Sequence, residues 1–509
     1  MLNKIILKKH SSGFFNETSL LFLFLGASLT LIFPPYNYFF LAPIIMAIIF
    51  YACISLKPKQ TAIYLFFFGV GFNLFGVYWI YISIHIFGNA PIWVAIILMI
   101  ALVILMSLYI AIAGLLISWL VGKRKITLIF LGPSVWVLLE WAKGWIFTGF
   151  PWLTIGYSQI DTYLAGWAPI FGVYGVSWLL LFSSCSFLFF CVKARFYLAF
   201  STLLAPYLVG YFVSVDFWTE NFDKPIAVKI VQGGVSQDLK WKKEQLSKTM
   251  NLYRTATFEA EKDTLIVWPE VAIPASLNII EPFINDISTH IGENNKKLAF
   301  GVLEQQKNSN NVYNSLMFLD DEKRQFYRKR HLVPFGEYFP VPNFIREWMR
   351  MKNLPNIDLL KGETDQSLIQ YNDNVKIASA ICYEIAFASE QLNFFPDANL
   401  IINISNDAWF GDSIAPHHHL QITRMRALET GRYLIRSTND GISAFIDPEG
   451  KIVKRSGQFD YEMLNYEIHP RTGSTPFVIY GNWLIILSSL LIILISLSRI
   501  EPVKNRKKI

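Results

Sequence analysis

The sequence predicts a polytopic helical membrane protein that carries one folded α/β domain outside its helices. Three observations predict it. Hydrophobic residues make up 53% of the 509-residue chain, more than a water-soluble enzyme ordinarily holds, and no Asp, Glu, Lys or Arg occurs between Gln60 and Gly122. Residues 215–476, by contrast, have the polar and apolar mixture of a globular domain. Finally, the cations cluster at the ends of apolar runs, where membrane topology places them.

Crossing a bilayer takes about 20 predominantly apolar residues. In chain order, such runs lie near 17–33, 39–56, 62–85, 91–121, 126–143, 169–192, 196–214 and 478–498. Lys4, Lys8 and Lys9 ahead of the first run resemble the start of a signal peptide. No small-x-small cleavage site follows and another span comes at once, so the run is read as retained. The fifth run is the weakest, with an apolar core only from Ile126 to Leu139 and Pro133 inside it.

Cationic loops follow spans two (Lys57, Lys59), four (Lys123, Arg124, Lys125), six (Lys193, Arg195) and eight (Arg499, Lys504, Arg506, Lys507, Lys508). They alternate with loops that lack such clusters, so both termini are expected in the cytoplasm and the domain after span seven outside. The expected parts are therefore a membrane domain over 1–214 with spans one to seven, an extracytoplasmic domain over 215–477, and span eight with a basic tail over 478–509. The flanking cations account for more than the whole formal charge of +7. The domain itself has no cationic excess to hold phosphate backbones, and nucleic acid is excluded as a partner.

Between spans five and six, the stretch from Trp145 to Trp152, with Tyr157 and Trp167, is rich in aromatic residues. It reads either as an interfacial belt or as a lipid-facing floor beneath the domain. Glu140 and Lys143, near the end of span five, read as snorkelling to the interface or as a polar site within the membrane.

Within the domain, Ile226–Val231, Leu265–Val267, Leu298–Val302, Val375–Ala380 and Leu400–Ile404 are short apolar, β-branched-rich runs that read as strands. Helical patterns such as Lys240–Lys262 and Ile422–Leu428 lie between several of them, as in an α/β fold. Cys382 stands where one strand ends. It is the one cysteine of the long polar part, since Cys53, Cys185 and Cys191 lie in apolar segments. A lone cysteine makes no internal disulfide, which leaves core filler or nucleophile.

A cysteine nucleophile needs a base for its proton and donors for the oxyanion it creates. Glu270 follows the strand-like run Thr264-Leu-Ile-Val-Trp-Pro, where Pro269 stops the ladder and projects the next residue. Lys329 lies in a basic group with Arg328, Arg330 and His331, which the sequence alone does not rank, and Glu337 follows Gly336 in a turn. His417, His418 and His419 suggest a metal site, but consecutive residues do not share a helix face. No metal is expected.

Together, Glu270, Lys329 and Cys382 in this order and spacing resemble the Glu–Lys–Cys triad of the nitrilase superfamily of carbon–nitrogen hydrolases. Val228–Gln232, Asn403–Gly411, Arg426–Glu429 and Asn439–Gly450 extend the match through residues 225–465. With Gly149-Phe-Pro-Trp152, Leu332–Glu337 and Cys382-Tyr-Glu384, and with the domain between spans seven and eight, the chain resembles the apolipoprotein N-acyltransferase family. The resemblance implies an αββα nitrilase-like domain in the periplasm of a bacterium, anchored in the inner membrane.

It also implies transfer of an acyl chain from a phospholipid to the α-amino group of a diacylglyceryl-modified apolipoprotein cysteine, through a thioester on Cys382 and without a cofactor. Glu270 is then the general base and Lys329 the oxyanion donor. Glu337, Tyr383, Glu384 and Trp241 are carried over as supporting residues. The enzyme is expected to act as a monomer on membrane lipid. The segment from Pro340 to Pro355, with Phe344, Trp348 and Met349, reads as an amphipathic helix or as a lid that dips into the bilayer surface. Two rival readings are a membrane-tethered amidase that hydrolyses a small amide, and a non-catalytic transporter or scaffold.

Overall fold

The computed structural model describes residues 15–122, 124–306, 309, 311–321, 323–342, 344, 346–347, 351 and 358–498. The described residues form two compact units. The first holds those up to Tyr78, Ile97–Ser214 and those from Tyr480 onward, and the second joins Trp79–Ile96 to Val215–Ile479.

The first unit is helical. Four helical segments are long and apolar enough to cross a membrane: Pro58–Val77, Ile92–Val121, Lys125–Lys143 and Tyr163–Val192. Four shorter apolar segments, Glu17–Ile32, Leu41–Ser55, Phe196–Tyr211 and Trp483–Ser498, fall on the other predicted runs. Pro133 is accommodated inside its helix.

The third predicted span differs. Its helix stops at Val77, and residues 79–96 belong to the second unit. There the chain makes one helical turn, Trp79–Tyr81, and a π-helical turn, Ile82–Phe87. The Trp79 ring meets Phe410 edge-on at 4.8 Å, and the Ser83 hydroxyl donates to the Trp409 carbonyl at 2.7 Å. An uncharged run gives no boundary signal. Packing against the 407–411 turn sets the break.

The rest of the second unit is built on two six-stranded sheets. Its strands are β1 (Thr219–Asn221), β2 (Ile226–Gln232), β3 (Leu265–Val267), β4 (Lys297–Gln305), β5 (Val312–Asp320), β6 (Lys323–Arg328), β7 (Ile369–Gln370), β8 (Lys376–Ile381), β9 (Leu400–Ser405), β10 (Leu434–Thr438), β11 (Ala444–Ile446), β12 (Ile452–Arg455), β13 (Glu462–Ile468) and β14 (Arg471–Gly473). One sheet runs β13-β2-β3-β4-β5-β6, the other β12-β11-β10-β9-β8-β7, and β1 pairs with β14 alone. In each sheet the central pairs are parallel: β2-β3-β4 and β8-β9-β10. Such strands are covered on both faces and read as continuous apolar runs, as β9 does with every residue buried.

The sheets meet face to face. The Ser437 hydroxyl on β10 donates to the Val267 carbonyl on β3 at 3.3 Å, and the Thr438 hydroxyl reaches Gln232 Oε1 on β2 at 3.2 Å. Helices close the outer faces. On Leu277–Glu293, Ile280, Phe283, Ile284, Ile287 and Ile291 are buried at helical spacing, in one core with Leu298 and Phe300 of β4. Each such side chain contributes about 1.5–3 kcal/mol by leaving water. Behind the other sheet, Ala415–Thr430 is buried almost throughout and ends on Gly431, whose left-handed φ of 63° suits a helix terminus. The layers are helix, sheet, sheet, helix, as the sequence predicted.

Candidate active site

Strand ends from both sheets deliver the chemistry. β3 ends at Val267, and Pro269 and Glu270 then cross Gly301 of β4, with Gly301 N donating to the Pro269 carbonyl at 3.1 Å. A Cβ on residue 301 would stand 2.5 Å from Glu270 Cα, so glycine is what lets the two backbones pass. β6 ends at Arg328, and Lys329 N donates to the Asn314 carbonyl at 2.8 Å, which fixes the side chain that follows. β8 ends at Ile381, and Cys382 takes a positive φ of 53°. For a non-glycine residue that conformation costs of order 1 kcal/mol, and such strain collects at functional sites.

Lys329 Nζ lies 2.8 Å from Glu337 Oε1 and 3.4 Å from Glu270 Oε1. Asn314 Nδ2 donates to the same two oxygens, at 2.7 Å to Glu270 and 3.1 Å to Glu337. Glu337 is held in turn by the Val333 amide, which donates to its other oxygen at 2.8 Å. Burial pulls the Lys329 ammonium down, but Glu337, Glu270 and Cys382 together lift it well above its ordinary value. It is a permanent cation. Burial pushes the Cys382 thiol up to about 12, with Glu270 adding to the rise and Lys329 opposing it. At neutral pH the thiol therefore keeps its proton, and a base must take it before sulfur can attack.

Glu384 has another task. It is fully buried and accepts from the amides of Arg330 at 2.5 Å, His331 at 3.0 Å and Ile381 at 2.8 Å. The Tyr327 hydroxyl adds a fourth donor at 3.0 Å. One carboxylate thus ties the segment bearing Lys329 to the turn bearing Cys382.

Family models match both parts of the chain: the apolipoprotein N-acyltransferase N-terminal domain over residues 25–186 and carbon-nitrogen hydrolase over residues 228–477. An apolipoprotein N-acyltransferase of Coxiella burnetii is 38% identical over 465 residues, 90% of this chain and 96% of that relative. That of Pasteurella multocida is 36% identical over 96% of each chain. The chain belongs to the apolipoprotein N-acyltransferase family. Among solved structures, a carbon-nitrogen hydrolase superfamily protein of Xanthomonas campestris covers 53% of this chain at 15% identity, with a TM-score of 0.36.

Of the residues singled out in this apolipoprotein N-acyltransferase family member, Glu270, Lys329 and Glu337 are joined by hydrogen bonds, and Cys382 feels the charge of the first two. Tyr383 turns its ring to Phe387 at 4.9 Å and His331 at 5.8 Å. Trp241 is 54% exposed, whereas its neighbour Lys240 is buried with Nζ 3.4 Å from the Glu270 carbonyl. Phe344 is 70% exposed; Trp348 and Met349 lie outside the described residues.

One reading changes. Glu140 does not snorkel: it is buried and accepts from the Ile155 amide at 3.0 Å, while Lys143 donates to the Trp152 carbonyl at 2.8 Å. The histidine run is not one cluster, since His419 faces Asp407 and the Cys382 carbonyl. Sequence reasoning also missed Asn314. Its signal was a polar side chain two residues into β5, ahead of the apolar run 316–319.

Proposed function

We propose that this chain moves an acyl chain from a phospholipid to the α-amino group of the diacylglyceryl-modified N-terminal cysteine of apolipoproteins, by way of a thioester on Cys382. The observation that carries the roles is Lys329, held between Glu270 and Glu337 beside a buried, protonated cysteine. Glu337 is the closer partner of the ammonium, so Glu270 can take a proton without leaving Lys329 unpaired.

In the first half-reaction the Glu270 carboxylate takes the thiol proton and sulfur attacks the ester carbon. The carbonyl electron pair moves onto oxygen, where Lys329 stabilises it. Collapse re-forms the carbonyl and breaks the ester C–O bond, and the departing lysophospholipid oxygen receives the proton from Glu270. In the second half the acceptor amine attacks the thioester, Glu270 takes its proton, the C–N bond forms, and Cys382 leaves and is reprotonated. The kinetics are ping-pong. Because the acceptor is an amine, the site must limit water.

We place the catalytic part at 215–477 on the periplasmic face of a bacterial inner membrane, with both termini cytoplasmic. The alternation of cationic loops supports this orientation. The exposed Phe344 supports a lid that meets lipid.

Intact-protein mass spectrometry of the enzyme purified from membranes tests this reading. An acyl-sized adduct, released by hydroxylamine and missing from Cys382→Ala, is expected. Absence of the adduct after feeding phospholipid would overturn the thioester route. Release of the acyl group to water in the presence of a diacylglyceryl lipopeptide would turn the reading into a hydrolase.

A further inference from the structure

A second set of buried ionisable groups reaches Cys382 through its backbone. His419, on the helix Ala415–Thr430, has Nε2 3.1 Å from the Cys382 carbonyl oxygen and Nδ1 3.0 Å from Asp407 Oδ1. A carbonyl and a carboxylate only accept, so both ring N–H groups donate and the ring is held as imidazolium, which Asp407 favours although burial and Arg436 pull His419 below its ordinary value. Asp407 Oδ1 also accepts from the Ser405 hydroxyl at 2.7 Å, and Oδ2 accepts from Arg436 Nη2 at 2.7 Å. Arg436 is itself anchored on Asn403 Oδ1 and on Thr423 Oγ1. The side chains of His419, Asp407 and Arg436 are all 0% exposed, so none of them can touch a substrate. Through His419 they hold one peptide unit, and the Asp407 charge adds to the rise of the Cys382 thiol.

That unit matters because of its other end. A trans peptide is planar, with its C=O and N–H pointing in opposite directions. Gripping the Cys382 oxygen therefore fixes where the Tyr383 N–H points. β8 ends at Ile381, so no strand ladder does this; Cys382 instead opens a short 3-10 turn, Cys382–Ala386, and His419 adds a side-chain donor to that turn's first carbonyl. A hydrogen bond to the oxygen also polarises the amide and strengthens its N–H as a donor.

We propose that His419 is a positioning residue: by holding the Cys382 carbonyl it aims the Tyr383 N–H at the oxygen that becomes negative when Cys382 sulfur attacks the acyl ester. In that step the C–S bond forms and the carbonyl pair moves to oxygen, where the charge is shared between Lys329 Nζ–H and Tyr383 N–H. Collapse re-forms C=O and expels the alcohol oxygen. Asp407, locked by Arg436, keeps the imidazole from turning. The inference rests on the thioester reading above.

The test uses the full chain in detergent with phosphatidylethanolamine as donor, and compares His419→Gln, His419→Asn and His419→Leu. The side-chain nitrogen of Gln falls near the place of Nε2, and that of Asn near Nδ1. Two rates are read by mass spectrometry: thioester formation, and alkylation of Cys382 by iodoacetamide, which builds no tetrahedral oxyanion. His419→Leu and His419→Asn are expected to slow thioester formation by about 10–100-fold, part of what a lost oxyanion donor costs. Their alkylation is expected to stay within about twofold of wild type, and His419→Gln to recover most of the acylation rate.

Both rates falling together in every variant would make His419 a structural residue and overturn the proposal. So would equal acylation by the Gln and Asn variants, or wild-type acylation by His419→Leu. A wild-type enzyme that forms no thioester overturns the underlying reading instead, and is told apart because it fails before any variant is compared.

Discussion

Two buried ionic clusters flank Cys382, and they differ in what they face. Glu270, Lys329 and Glu337 pair side chain to side chain, and Glu337 keeps 15% of its side chain exposed. His419, Asp407 and Arg436 are sealed, and the hydrogen bond that His419 makes to Cys382 is to its main-chain carbonyl. The same kinds of group thus do different work. Partly open, a cation between two carboxylates can meet an oxyanion while one of the carboxylates accepts a proton. Closed off, a carboxylate between Arg436 and His419 holds a direction and meets no substrate.

Substitutions break this contrast in graded ways. The largest effect is expected for Lys329→Met, which leaves Glu270 and Glu337 both on Asn314 with no cation. Acyl transfer should fall about 10³-fold or more, and stability by about 3–5 kcal/mol from the stranded buried charge. Acylation assays beside thermal unfolding check both. Near-normal transfer would mean that the open cluster is not the oxyanion site.

Asp407→Asn is next, and it acts through stability and pH. Burial alone would push Asp407 up, yet Arg436 and His419 together hold it well below the usual carboxylate range. Its contribution is therefore complete above its unfolded value, near about 4, and is lost as pH falls through the folded value. Unfolding between pH 7 and pH 3 should show a wild-type advantage of about 3 kcal/mol at neutral pH that shrinks below about pH 4. An advantage that held constant with pH would show that Asp407 is not an ion-pair partner.

Gly301→Ala sharpens the comparison from the Glu270 side. Its new methyl would meet the Glu270 backbone, so a loss of about 10-fold in transfer is expected, with about 1–3 kcal/mol of destabilisation from overpacking. Unchanged activity would mean that Glu270 tolerates displacement. The smallest effect is expected for Phe344→Ser, a few-fold loss on donor lipid in vesicles and none on donor in detergent. Equal effects in both media would sink the lid.

Two of the candidate residues were legible in the sequence because they stand at strand ends. Pro269 stops β3 one residue before Glu270, and the apolar run before Cys382 stops with β8. The order of spans was legible from apolar length and from cations. Residues 79–85 were misplaced because nothing in an uncharged run marks where a helix ends. Their partners, Trp409 and Phe410, lie more than 300 residues away.

By itself, then, the sequence determined a membrane protein with an α/β domain, since hydrophobic period and strand punctuation are local properties, and the resemblance to the family joined the chain's glutamate, lysine and cysteine into one triad. Tertiary structure alone decided which polar residues support them. Asn314 reaches Glu270 across 44 positions, and Arg436 reaches Asp407 across 29. A buried hydrogen bond depends on where two strands lie side by side, and that pairing is made only when the sheets stack.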